Sequence, residues 1–118
     1  MHRLPPKEKA PLRPEEIPTF IDALEAYRGS RITAIALYLL LLTFVRPSEL
    51  REAEWSEFDL DKLLWRIPAA RMKMKEEHIV PLSHQAITLL RELQGITGQW
   101  RYLFPNTRDL RRPMQITA

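Results

Sequence analysis

The apolar and polar positions divide the chain into helical segments on either side of an extended middle. Residues 1–13 hold closely spaced prolines and charges with no periodic apolar face, and read as a linker or tail. Ile17, Phe20, Ile21, Leu24 and Tyr27 then recur at helical spacing, which predicts an amphipathic helix near 15–28 with Pro14 and Pro18 close to its start. Gly29 and Ser30 interrupt that pattern, and Ser30 is a candidate N-cap for a second helix, Arg31 to Val45. Its apolar run ITAIALYLLLLTFV lies between Arg31 and Arg46. A membrane span needs about 20 such residues, so this shorter run is expected to be a buried core helix. Pro47 biases Arg46 away from helical dihedrals and suits a first helical turn, so a third, short helix is predicted from Pro47 to about Ala53, with Arg46 at the corner.

From Phe58 the period changes. Leu63–Ile67, Arg71–Met74 and His78–Val80 are short extended runs, with Pro68 ending the first and Lys75–Glu76–Glu77 forming a polar turn before the last. The expectation is a small antiparallel meander. Ser83 is placed to cap a fourth helix with Ala86, Leu89, Leu90 and Leu93 on one face, and Gly95 and Gly98 are expected to stop it. Tyr102–Phe104 before Pro105 reads as a docking strand. The fold class is therefore mainly α with a small three-stranded antiparallel β-sheet.

Composition narrows this picture only slightly. In 118 residues, 45% are hydrophobic and 28% charged, an ordinary balance for one small domain or part of a larger one. Without cysteine there is no disulfide framework or thiolate metal site. The opening MHRLPPKEKAPLRP has no apolar signal segment, so a cytoplasmic location is expected. The net charge of +3 is too small to name a partner, but its distribution is uneven. Residues 46–62 carry three basic and six acidic side chains, 63–80 carry four and two, and 101–118 carry four and one.

Arg46 is the most informative single position, because a guanidinium at the edge of the core can bind an oxyanion with two parallel donors. Glu49 lies three residues on and could hold it, although the same spacing also describes a plain helix-terminal ion pair. Lys73, between Met72 and Met74, takes the opposite face of its extended run from the two methionines; a solvent-facing lysine is the simpler reading of that spacing. His78 could transfer a proton or merely pack. No metal-ligand spacing, phosphate-binding glycine loop or Ser/His/Asp set stands out.

Together these residues resemble the tyrosine recombinases, in their prophage integrase branch. The likeness runs over about 12–115. It rests on the arginine box Thr43-Phe44-Val45-Arg46-Pro47-Ser48-Glu49-Leu50, the Trp55–Asp59 step, the lysine hairpin and the strand Val80-Pro81-Leu82, in family order and spacing. The resemblance implies that 14–118 is the N-terminal portion of a catalytic domain, cut short before the family's His-x-x-Arg box and tyrosine nucleophile, neither of which is found here. It implies that Arg46 binds the scissile phosphate, that Lys73 is the general acid for the leaving 5′ oxygen with Lys75 its nearest competitor, and that Glu49 supports the arginine. Arg71, Lys75 and His78 become DNA-contact candidates.

The parent enzyme would then cut and rejoin double-stranded DNA at attachment sites through a 3′-phosphotyrosine, as a homotetramer, with no metal or nucleotide cofactor and no membrane. The 118 residues alone are expected to be inactive and, with an incomplete core, to self-associate. Two alternatives stay open: a non-catalytic DNA-binding or interaction module on the same scaffold, and a topoisomerase-like relaxing enzyme.

Overall fold

The computed structural model describes residues 15, 17–19, 30–72 and 75–114. Most of the helix expected over 15–28 lies outside them; residues 17–19 are helical. The first continuous helix, α1 (Arg31–Thr43), follows Ser30, whose backbone has the extended N-cap conformation but whose hydroxyl makes no cap bond and is buried without a partner among the described residues. The helix ends two residues earlier than Val45, because Phe44 turns left-handed (φ 57°) and its N–H closes on Leu40 O at 3.0 Å.

One stripe of α1, Ile35, Ala36, Leu39 and Leu40, is fully inside. Its opposite side is not: Tyr38 is 55% and Leu41 63% exposed, so the expected core helix is core on one face only. The reason is geometric. The main described partner of α1 is the long helix α3 (His84–Thr97), which covers one stripe with Ala86, Leu90 and Leu93. The α3 start was legible in sequence: Ser83 Oγ accepts the Ala86 N–H at 3.1 Å. Its end was misplaced. Gly95 continues the helix, with open space where a Cβ would stand, and the helix closes at Gly98 in a right-handed conformation.

Between these helices lie the short helix α2 (Pro47–Arg51), a 3₁₀ turn at Trp55–Glu57, and a three-stranded antiparallel sheet in the order β1 (Phe58–Asp59), β2 (Leu64–Ile67), β3 (His78–Pro81). The sheet class is as expected, but one strand differs: Phe58–Asp59 takes the place expected of Arg71–Met74. Phe58 pairs with Trp65 in register, and their rings stack at 5.0 Å. Asp59 Oδ1 accepts the Lys62 N–H at 3.1 Å, which tightens the reversal into β2. After β2, the central strand, Pro68 leads into a second 3₁₀ turn, Ala69–Arg71, so Arg71 is not in a strand.

Along β2 the inward side chains are Trp65 and Ile67, both fully buried, with Arg66 outward. The expected docking strand is reduced to single bridges. Tyr102 pairs with Glu54, and the N–H of Leu103 donates to Ala53 O at 3.1 Å, which seats Leu103 and Phe104 in the core.

Candidate functional site

Two arginines organise the surface where the sequence places its chemistry. Arg46 stands at the corner between α1 and α2. Its extended backbone (φ −69°, ψ 143°) is what a residue before proline prefers, and Pro47 behind it is buried. The Glu49 carboxylate accepts the Arg46 backbone N–H at 3.1 Å, while the Arg46 carbonyl accepts the N–H of Glu49 at 2.9 Å and of Leu50 at 3.2 Å. Glu49 therefore holds the main chain of Arg46 and not its guanidinium. That guanidinium, on a half-buried residue, has no hydrogen bond or ion pair among the described residues. With five donors in a rigid fork, such a group can receive an oxyanion without first breaking an internal pair.

Arg71 is the reverse case. Its side chain is 15% exposed and faces Glu57, itself 5% exposed, in a bidentate pair: Nη2 to Oε1 at 2.7 Å and Nε to Oε2 at 3.0 Å. Nη2 also reaches Glu49 O at 3.3 Å, and Nη1 lies 3.7 Å from Glu52 Oε1. Glu57 is further fixed by the indole N–H of Trp65, which donates to Oε1 at 3.1 Å. Among the described residues Glu57 is the one buried charged side chain, and the bidentate arginine plus the indole satisfy it. The acidic 46–62 segment and the basic 63–80 segment thus cancel partly inside the molecule.

The other candidates lie nearby in sequence but are held differently. Lys73 and Met74 lie outside the described residues. Their flanks are joined, since Met72 O accepts the N–H of Lys75 at 3.0 Å, and Lys75 is left-handed (φ 60°) with an exposed side chain. His78 opens β3 opposite Ile67 and is half-buried. The structure joins Arg71 to Glu49, and through Glu49 to Arg46; it records no bond from His78 or Lys75 to this group among the described residues.

Two partners of the site, Glu57 and Trp65, were not singled out from sequence. A glutamate set between Trp55 and Phe58 was the available signal: a charge surrounded by aromatic residues needs a buried counter-ion. No group of three or more His, Cys, Asp or Glu among the described residues could hold a metal ion, and no helix there is long and apolar enough to cross a membrane.

Comparison with known proteins adds an independent line. The chain matches the model of the phage integrase family over residues 11–117. It is 54% identical over 109 residues to the integrase of Enterobacteria phage P4, covering 82% of this chain and 25% of that protein. It is 36% identical over 111 residues to the prophage integrase IntA of Escherichia coli K12, covering 93% of this chain and 27% of that one. The integrase of Shigella phage Sf6 is 34% identical over 110 residues, with 92% and 29% covered. The chain thus spans roughly a quarter of the length of the curated relatives it matches. Among solved structures, that of XerA recombinase shares the fold, with a TM-score of 0.56 at 18% identity over 92% of this chain and 39% of that one.

Proposed function

The chain belongs to the phage integrase family, and from that premise we propose that it is the N-terminal portion of the catalytic domain of a site-specific DNA recombinase, with Arg46 and Lys73 contributing to phosphoryl transfer. The observation that carries this reading is the contrast at Arg46: a backbone pinned by Glu49 and Pro47, and a guanidinium with no partner among the described residues.

The chemistry follows from charge. A tyrosine oxygen supplied by the rest of the parent protein attacks the scissile phosphorus, the P–O5′ bond breaks, and a 3′-phosphotyrosine forms. Negative charge on the equatorial oxygens is met by the Arg46 fork, which needs little reorganisation because its main chain is already fixed. The leaving 5′ oxygen takes a proton, and Lys73 is the donor in this reading. Reversal of the same steps with a partner strand gives recombination between two double-stranded attachment sites within a tetramer. Taken by itself the 118-residue chain is inactive on this reading, since the nucleophile comes from elsewhere.

The test is cleavage of a nicked attachment-site duplex by the full-length parent, read as a covalent protein–DNA adduct. Wild type is expected to form it, and R46A and K73A to lose it. Salt-sensitive DNA binding without any adduct would favour a non-catalytic DNA-binding module; an adduct followed by relaxation, without exchange between two sites, would favour a topoisomerase-like enzyme.

A further inference from the structure

A helix of five residues has too few internal bonds to fix its own direction, so the Arg46 corner is only as well placed as α2 itself. Three bonds tie Arg46 into that helix. Its N–H donates to the Glu49 carboxylate at 3.1 Å, and its carbonyl accepts the N–H of Glu49 and of Leu50. The next link lies on Glu49, whose carbonyl belongs to the last turn, where helix carbonyls lack an intrahelical partner. Arg71 Nη2 donates to it at 3.3 Å. The same guanidinium is clamped by both oxygens of Glu57, at 2.7 and 3.0 Å, and the indole N–H of Trp65 donates to Glu57 Oε1 at 3.1 Å. Trp65 is fully buried in the central strand β2. A continuous path of hydrogen bonds thus runs from the middle of the sheet to the Arg46 main chain. Arg51 ties α2 separately to the Met114 carbonyl at 2.7 Å, so the helix keeps an attachment when Arg71 is changed.

Resting on the recombinase reading above, we propose that Arg71 is a positioning residue for Arg46: clamped by Glu57, it fixes the Glu49 carbonyl and so the angle at which the Arg46 guanidinium meets the scissile phosphate. Arg71 itself touches no DNA. Its side chain is 15% exposed and faces a carboxylate that is 5% exposed, and turning away from it would strand a buried charge. Glu57 shares the role. Without it the Arg71 guanidinium keeps the 3.3 Å bond to Glu49 and the 3.7 Å ion pair with Glu52, neither of them two-pronged.

The experiment uses full-length parent protein with two attachment-site duplexes: an ordinary one, and one with a methyl group replacing a non-bridging oxygen of the scissile phosphate. The methylphosphonate is neutral there, so its cleavage does not call on Arg46 to meet a negative charge. R71K and E57Q are compared with wild type and R46A on each duplex, with thermal melts alongside to identify folded variants. R71K keeps the charge but loses the two-pronged geometry. E57Q removes a negative charge that would by itself repel a phosphate, and it serves if R71K does not fold. The expected result is that both variants slow cleavage of the ordinary duplex at least about tenfold, part of the roughly 10²–10³ that loss of one oxyanion donor costs. On the methylphosphonate R71K, E57Q and R46A should all come within a few-fold of wild type. Equal slowing on both duplexes, or no slowing on either, overturns the positioning role while leaving the recombinase reading intact. Slowing by R71K with none by E57Q does the same, since it would make Arg71 a direct phosphate contact. An R46A protein that stays slow on the methylphosphonate overturns the phosphate role of Arg46 and the positioning role built on it. A wild-type parent that forms no adduct with the ordinary duplex overturns the recombinase reading as well.

Discussion

Arg46 and Arg71 are 25 positions apart and bonded to the same glutamate, but the protein fixes opposite ends of them. At Arg46 the main chain is held and the guanidinium is left without a partner among the described residues; at Arg71 the guanidinium is held, by Glu57 and by the carbonyl of Glu49. The difference separates two uses of one residue type. A charge kept for a ligand must not be spent on the fold, and a charge spent on the fold must be nearly fully paired, because an unpaired buried partner costs several kcal/mol.

Substitutions can sharpen or break this contrast. R46A should have the largest functional effect, a loss of about 10³-fold in DNA cleavage by the parent, equivalent to about 4 kcal/mol of transition-state stabilisation. Its stability in urea should shift by under about 0.5 kcal/mol, since no bond of that side chain to the described residues is lost. A large stability loss would show that Arg46 is structural after all. R71A should do the reverse in chemical denaturation, destabilising the protein by about 3 kcal/mol by leaving Glu57 buried with only the Trp65 indole for company. A change under about 0.5 kcal/mol would remove the distinction between the two arginines.

E49A comes next, at about 1 kcal/mol, because it removes the carboxylate that accepts the Arg46 N–H but leaves the carbonyl that accepts Arg71. Cleavage by the parent should fall more than its melting temperature suggests. The smallest effect belongs to the surface pair Arg31–Glu92, which joins the start of α1 to α3 at 2.7 Å. The hydrogen bond from Arg31 holds the Glu92 carboxyl below its usual range. A lowered carboxylate pKa contributes stability that is present above the ordinary carboxylate range and is lost as pH falls through the lowered value. R31A should therefore flatten the acid limb of the stability profile slightly at low salt and have no effect at about 1 M salt, where exposed charges are screened. A difference that persists in high salt would mean that the pair is not acting through exposed charge.

The legible parts of this protein were the locally determined ones. Ser83 could be read as a cap because the hydroxyl and the N–H it accepts are three residues apart. Arg46 could be placed at a corner because the constraint comes from the next residue, Pro47. The strand assignment was less successful. Arg71–Met74 has an extended-looking composition, but Arg71 folds into a 3₁₀ turn whose guanidinium meets a carboxylate 14 residues earlier, and Phe58 pairs with Trp65 instead. Neither preference is visible in a short window. Gly95 misled for a related reason: glycine permits a helix stop without requiring one, and here the chain continues to Thr97, which is buried and donates through its hydroxyl to Leu103 O at 2.9 Å.

By itself, then, the sequence determined the order of helices around an extended middle, the class of sheet, the corner at Arg46 and the family to which that corner points. These depend on neighbours along the chain, where a proline or a capping hydroxyl acts within one turn. Only the tertiary structure decided which charges are available. The acidic and basic segments cancel through Glu57 and Arg71, Glu49 turns its carboxylate to a backbone N–H, and the Arg46 guanidinium is left without a partner among the described residues. Ion pairing acts through space and depends on burial, so the fold alone could distinguish the arginine whose guanidinium is spent on a buried carboxylate from the one whose guanidinium has no partner among the described residues.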